Sequence, residues 1–177
     1  MRPGCVLLDR DGVINEDADS YILGIAAWQP IAGSLEAIAR LTHAGIPVAV
    51  CTNQSAIARG MLSSEGLAAI HRHMRAAVAD AGGALAGIFF CPHGPEAGCE
   101  CRKPAPGLVN DALRQLDCQP AEAVFIGDSQ RDIDAAARAG VPAWLVRTGN
   151  GRQTEAQYGG DIPVYDDLAA ATDALLA

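Results

Sequence analysis

The sequence predicts an α/β fold with a mainly parallel sheet and helices on both faces. Short apolar, often β-branched runs recur along the 177 residues, and helix-length segments with their own start and stop residues separate them. The runs are continuous rather than alternating, as in strands covered on both sides.

Strands are expected at 5–9 (CVLLD), 46–52 (IPVAVCT), 87–91 (GIFFC), 123–128 (AVFIGD) and 143–147 (AWLVR). Helices are expected over 34–44, 64–81, 106–116 and 131–139, and from about 168 onward. Ser34 and Ser64 read as N-caps, while Gly45 with Pro47 and Gly140 with Pro142 read as stops. The irregular stretches 15–33 and 92–105 remain, and in such folds the loops that follow strands carry function.

The length suits one domain over 1–177, with no repeat or linker to divide it, and a monomer is expected. No apolar run reaches membrane-spanning length, and the start MRPGCVLLDRDG lacks the apolar core of a signal peptide. A cytoplasmic protein without a membrane partner is therefore expected. A net charge of −8 argues against nucleic acid as a general partner, so cations that hold an anionic ligand must be local.

Three of the strand ends are polar. The first ends in LLDRDGVIN, where Asp9 and Asp11 lie two apart and point the same way if the chain stays extended. One carboxylate can attack a phosphoryl group while the other protonates the leaving oxygen and later deprotonates water. Alone, Asp-x-Asp-Gly reads first as a solvated strand end or an Asx-turn. VAVCTNQS, however, brings Thr52, Asn53, Gln54 and Ser55 to a second strand end, with hydroxyl, amide and backbone donors for phosphate oxygens. VFIGDSQRD brings Asp128 to a third, with Asp132 near the next helix start. Three converging acids repel one another unless a cation lies among them, and hard oxygen ligands beside a phosphate suit Mg²⁺.

The segment CPHGPEAGCECRKP, 91–104, holds Cys91, His93, Cys99 and Cys101. In a reducing compartment these four ligands within eleven residues read as a closed tetrahedral Zn²⁺ site of structural purpose. Such a loop would deliver Arg102 and Lys103 to the acids. Cys5, Cys51 and Cys118 lie in or beside apolar runs and read as core residues.

DRDGV, TNQ, RKP and GDSQRD, in this order and spacing, resemble the four motifs of the haloacid dehalogenase superfamily of phosphohydrolases, over roughly 5–150. That resemblance implies a Rossmann-like fold and an aspartyl-phosphate mechanism, with Asp9 as nucleophile and Asp11 as general acid/base. It also implies Mg²⁺ held by the Asp9 and Asp128 side chains and the Asp11 backbone carbonyl, with Asp132 in support. Thr52 or Asn53 and Lys103 would bind the phosphate, with Gln54 beside them.

The CPH and CxCRKP combination is similar to a branch with a zinc loop and no large cap domain. Its substrates are a heptose 1,7-bisphosphate or histidinol phosphate. The heptose is the better match, through TNQSAIARG and VRTGNG, and implies a role in supplying activated heptose for bacterial envelope polysaccharide. Ser129 stands where some members carry Lys, and Ala56 where some carry Gly. For this small phosphorylated sugar, Asp17, Ser20 and Tyr21 are candidate hydroxyl contacts, and Arg102 is a candidate for the uncleaved phosphate. Trp28 reads as packing or, secondarily, as a sugar platform. Arg59 reads as a surface residue, and His43, His71 and His73 receive no role. A non-catalytic phospholigand-binding module is the alternative from another class.

Overall fold

The computed structural model describes residues 2–17 and 21–177. Its six strands are β1 (Cys5–Leu8), β2 (Val48–Asn53), β3 (Gly87–Cys91), β4 (Ala123–Gly127), β5 (Ala143–Val146) and β6 (Val164–Tyr165). All pair in parallel, in the order β3-β2-β1-β4-β5-β6. The chain builds outward from β1 to β3 and then returns to add β4 to β6 on the other side. The order therefore reverses between β1 and β4, where a crevice opens at the strand C-terminal ends.

The alternation of side chains along each strand divides the core in two. Val6, Leu8, Val48, Val50, Val124 and Ile126 face α1 (Ser34–His43), α2 (Ser64–Asp80) and α6 (Leu168–Leu176). Cys5, Leu7, Ala49, Cys51, Ala123 and Phe125 face α3 (Gly107–Leu116) and α4 (Gln130–Ala139). Cys118 joins the second layer, so the three cysteines outside the CPH segment are core residues. Register Leu8↔Ile126 and Leu8↔Val50 brings the ends of β1, β2 and β4 level, so the residues just past these strands share one edge.

Several element expectations need correction. Ser63, not Ser64, caps α2, accepting from Gly66 N at 3.0 Å, and Gly33, at φ +81°, stands at the N-cap of α1. The helix expected over 106–116 begins at Gly107, and Pro106 is its N-cap. GIFFC is an edge strand rather than a buried one, with Phe90 exposed, because no strand among the described residues lies beyond β3. Two elements lie outside the expectation: β6, only two residues long, and α5 (Gly151–Gln157), whose sequence GRQTEAQ has no apolar pattern. Short 3-10 turns at Ile25–Ala27 and Pro95–Ala97 occupy the two irregular stretches, and neither stretch forms a cap domain among the described residues. No helix among the described residues is long and apolar enough to cross a membrane.

Candidate active site

The crevice between β1 and β4 gathers acids that burial alone would expel. Asp9 is 4% exposed, Asp128 is wholly buried and Asp132 nearly so, and one carboxylate oxygen of each lies within 4.8 Å of the others. Lys103, itself buried, reaches in to pair with Asp9 Oδ1 at 2.9 Å and Asp132 Oδ1 at 2.7 Å, and donates to the Cys51 carbonyl at 2.8 Å. Opposed charges at such distances in a water-poor setting offset much of the desolvation penalty.

The oxygens differ in how far they are engaged. Asp132 Oδ2 accepts from the backbone N–H groups of Asp128 and Ser129 and from the Ser129 hydroxyl, while Oδ1 faces Lys103. Asp132 thus completes the capping box of α4 and anchors the lysine, which leaves it no oxygen free. Asp128 Oδ2 accepts from Asn150 N and Nδ2, but Oδ1 is buried without a hydrogen-bond partner. Asp9 Oδ1 accepts from Arg10 N and Lys103. Its Oδ2 takes no hydrogen bond among the described residues. An orphaned buried carboxylate oxygen beside another uncommitted carboxylate is the donor set a hard divalent cation requires, and Mg²⁺ fits it.

Electrostatics follow the same division. Burial, then repulsion from Asp132, push Asp9 up to about 6 despite Lys103. Burial with Asp9 and Asp132 pushes Asp128 up to about 8. Burial also opposes charge on Asp132, yet Lys103 and the Ser129 hydroxyl hold its carboxyl below the usual range. Lys103 is held well above its ordinary value by Asp132 and Asp9, against its burial.

Backbone shape keeps this crowding possible. A Cβ on Gly12 (φ +84°) or on Gly149 (φ +56°) would lie 2.2 Å from Asp128 Oδ2. Both positions need a left-handed backbone as well as the empty space, so glycine is required twice over.

Asp11 sits at the mouth. Its carboxylate accepts from Asn15 Nδ2 and Gln54 Nε2, each at 2.9 Å, and from Arg10 Nε at 3.0 Å. Thr52 is buried, with its hydroxyl accepting from Gln54. Asn53 binds the Lys103 backbone in both directions at 3.0 Å, so it aligns the lysine rather than facing the ligand alone. A cleft of about 340 Å³ opens here, lined by Asp11, Asp17, Tyr21, Arg59, Arg102 and Arg131 among others. Tyr21 lies under the Arg59 guanidinium at 5.8 Å, and Asp17 accepts from Asn150 Nδ2. Ser20 lies outside the described residues.

Arg131 is absent from the expected site residues, because a charged residue in the first turn of a helix resembles any solvated position. Its side chain is exposed at the cleft, and Asp9, Asp132, Asp128 and Asp17 hold its pKa above the ordinary value against the crowding around it. Arg59 belongs to the cleft rather than to a plain surface. Trp28 is a packing residue, as its leading reading has it, and not a sugar platform: it is 2% exposed and its Nε1 donates to Asn15 Oδ1 at 3.0 Å.

The CPH segment closes on itself. Cys91 Sγ lies 3.1 Å from Cys101 Sγ and 3.7 Å from Cys99 Sγ, and His93 Nδ1 lies 3.3 Å from Cys101 Sγ. All six cysteines are free thiols. Sulfurs bonded to one tetrahedral Zn²⁺ at about 2.3 Å stand roughly 3.8 Å apart, so this cluster has the right compass for zinc. Arg102 donates to the His93 carbonyl at 3.1 Å, which ties the loop to the cleft. A larger groove of about 720 Å³ lies at the opposite sheet edge, near Trp144 and Leu175, far from these acids.

Comparison with known proteins agrees with this geometry. Residues 100–171 match the HAD-hydrolase-like family model. The chain is 49% identical over 97% of both chains to D-glycero-beta-D-manno-heptose-1,7-bisphosphate 7-phosphatase of Bordetella bronchiseptica, and 45% identical to the Pseudomonas putida protein of that name, over 97% of this chain and 98% of that one. A crystal structure of D,D-heptose 1,7-bisphosphate phosphatase from B. bronchiseptica, complexed with magnesium and phosphate, superposes with a TM-score of 0.94 at 49% identity, covering 97% of each chain. The corresponding Burkholderia thailandensis structure gives 0.77 at 37% identity, covering 98% of each. The chain belongs to the D-glycero-beta-D-manno-heptose-1,7-bisphosphate 7-phosphatase family of HAD-like hydrolases.

Proposed function

We propose that the protein is a Mg²⁺-dependent phosphatase that removes the 7-phosphate of D-glycero-D-manno-heptose 1,7-bisphosphate, for nucleotide-activated heptose and envelope polysaccharide. The observation that carries this reading is one mouth shared by two sites. An acid cluster with an orphaned Asp128 oxygen lies within, and three arginines, Arg59, Arg102 and Arg131, line the cleft outside. A bisphosphate meets both needs, with one phosphoryl group inside and the other among the arginines. Histidinol phosphate would bring an ammonium to those arginines, a like-charge encounter that costs affinity.

Asp9 and Asp128 would hold Mg²⁺ through their side chains and Asp11 through its backbone carbonyl, with Asp132 in support. The ion supplies positive charge against the phosphoryl oxygens and the acids. Lys103 and the Thr52 hydroxyl bind the phosphoryl oxygens, while Asn53 and Gln54 keep these two groups aligned. Asp9 Oδ2 forms a bond to phosphorus as the bond to the sugar oxygen breaks, and Asp11 gives that oxygen its proton. Asp11 then takes a proton from water, whose oxygen attacks the aspartyl-phosphate and frees Asp9 and inorganic phosphate.

The sugar lies against Asp17 and Tyr21, with Ser20 in the same stretch. Arg102 and Arg131 take the uncleaved phosphate, and Arg131 supplies the charge that Ser129 lacks. Cys91, His93, Cys99 and Cys101 bind a structural Zn²⁺. A single monomeric domain over 1–177, working in the cytoplasm without membrane or nucleic-acid partners, fits a small diffusible substrate.

Phosphate release from the heptose bisphosphate and from histidinol phosphate, measured side by side with Mg²⁺, tests the reading. Strong preference for the bisphosphate is expected, and Arg131→Ala should raise its KM about tenfold or more. Preference for histidinol phosphate would overturn the substrate assignment. Wild-type turnover in Asp9→Asn would overturn the mechanism.

A further inference from the structure

Arg10 stands between the two acids of the β1 end, yet its side chain is wholly buried. A guanidinium tolerates such a place only when its N–H groups find acceptors. Nε donates to Asp11 Oδ1 at 3.0 Å, and Nη2 donates to Asp11 Oδ2 at 3.1 Å and to Gln54 Oε1 at 3.2 Å. Nη1 points to His71 Nε2 at 3.2 Å. The fork that grips Asp11 is thus seated at its far end on a residue of α2, an element that contributes nothing else to the acid cluster.

The chemistry of this contact is one-sided. Arginine can only donate, so His71 Nε2 must offer its lone pair, which makes the imidazole neutral with its proton on Nδ1. Burial and then the Arg10 charge push His71 down to about 4, so the acceptor persists across the neutral range. Phe90 lies against the ring, with centroids 5.8 Å apart, which limits its rotation. A second line of support reaches Asp11 from the other side, where Trp28 Nε1 donates to Asn15 Oδ1 and Asn15 Nδ2 donates to Asp11 Oδ1. Asn15 and Gln54 Nε2 each make a single bond to one Asp11 oxygen, whereas Arg10 spans both.

We infer that His71 is a positioning residue for Asp11: by accepting from Arg10 it fixes the guanidinium fork that aims the Asp11 carboxylate at the leaving oxygen and then at water. This rests on Asp11 being the general acid/base. His71 touches no substrate, and its removal should slow turnover while leaving the phosphate subsite intact. General acid–base catalysis is worth about 10²–10⁴ in rate, so misaiming its carboxylate should forfeit part of that factor.

The test compares His71→Phe, which keeps a flat ring but has no acceptor, with His71→Gln, which restores an oxygen acceptor. For each, kcat and KM on the heptose bisphosphate are measured with Mg²⁺, alongside the inhibition constant of inorganic phosphate. His71→Phe is expected to lower kcat about tenfold with phosphate inhibition unchanged within about twofold, and His71→Gln is expected to recover most of kcat. A His71→Phe kcat within twofold of wild type would overturn the inference. Parallel loss of kcat and phosphate inhibition, or a His71→Gln as slow as His71→Phe, would do so too, since each marks general damage. Should His71→Phe not fold, a His71→Gln with kcat lowered tenfold would likewise refute it, and one near wild type would uphold it. Asp11→Asn separates the two levels: wild-type kcat in that variant would bring down the proposed mechanism itself, whatever His71 does.

Discussion

Replacing Asp9 by asparagine should make the metal-free protein more stable. In Asp9→Asn the shape and the Lys103–Asp132 pair are retained, and a buried charge is removed. Asp9 is raised from its ordinary 3.8 to about 6 by burial and by Asp132. A folded pKa above the unfolded one means that the protonated form favours folding. That benefit is complete below about pH 3.8 and is lost as pH rises through about 6. By about pH 8 the loss reaches about 3 kcal/mol, at 1.36 kcal/mol per tenfold in proton affinity, and at about pH 5 it is about half of that. Asn, neutral throughout, escapes it. For a chain of this length, 1 kcal/mol moves Tm by about 2–4 °C, so Asp9→Asn should melt about 6–12 °C higher at about pH 8. Thermal melts of both proteins in Mg²⁺-free buffer, with zinc left in place, measure the gap. It should shrink toward pH 5, and added Mg²⁺ should stabilise wild type more than the variant. A variant that melts at or below wild type at about pH 8, or a gap that does not depend on pH, refutes the reasoning.

Lys103→Met should act with the opposite sign, losing about 3–5 kcal/mol in urea unfolding at neutral pH, because Asp9 and Asp132 lose the ammonium between them. Gly149→Ala should weaken Mg²⁺ binding at least tenfold, measured by titrating activity with the metal, since its Cβ would displace the Asp128 carboxylate. Chelation of zinc should lower Tm and abolish phosphate release together, and both should return with Zn²⁺ but not with Mg²⁺, because the cysteine loop carries Arg102 and Lys103.

Some of this architecture is legible in local pattern, and some only in packing. Asp9, Thr52 and Asp128 each lie at the end of a continuous apolar run, so a parallel sheet necessarily brings them to one edge. Cys91, His93, Cys99 and Cys101 lie close enough in sequence to be recognised as a set. β6 and α5 are silent in the sequence because two residues and a polar heptapeptide leave no periodicity to detect. GIFFC reads as buried because its composition does not say whether another strand lies beside it. The supports of Asp11 are the least legible. Arg10 reads as one charged residue between two acids, and His71 lies 61 positions further along the chain. Only the docking of α2 over the loop after β1 makes them neighbours.

The strand order also governs when the enzyme can exist. β1 leaves the ribosome before the other five strands but occupies the middle of the sheet, and its partner β4 begins only at Ala123. Asp9 therefore cannot meet Asp128 or Asp132 until more than a hundred further residues have been made, and Lys103 arrives before both. Parallel pairings over such separations form late, because loop closure precedes any gain from contact. A nascent chain thus carries Asp9 for more than a hundred residues of synthesis without its partner acids, and activity should begin in one step with the docking of β4.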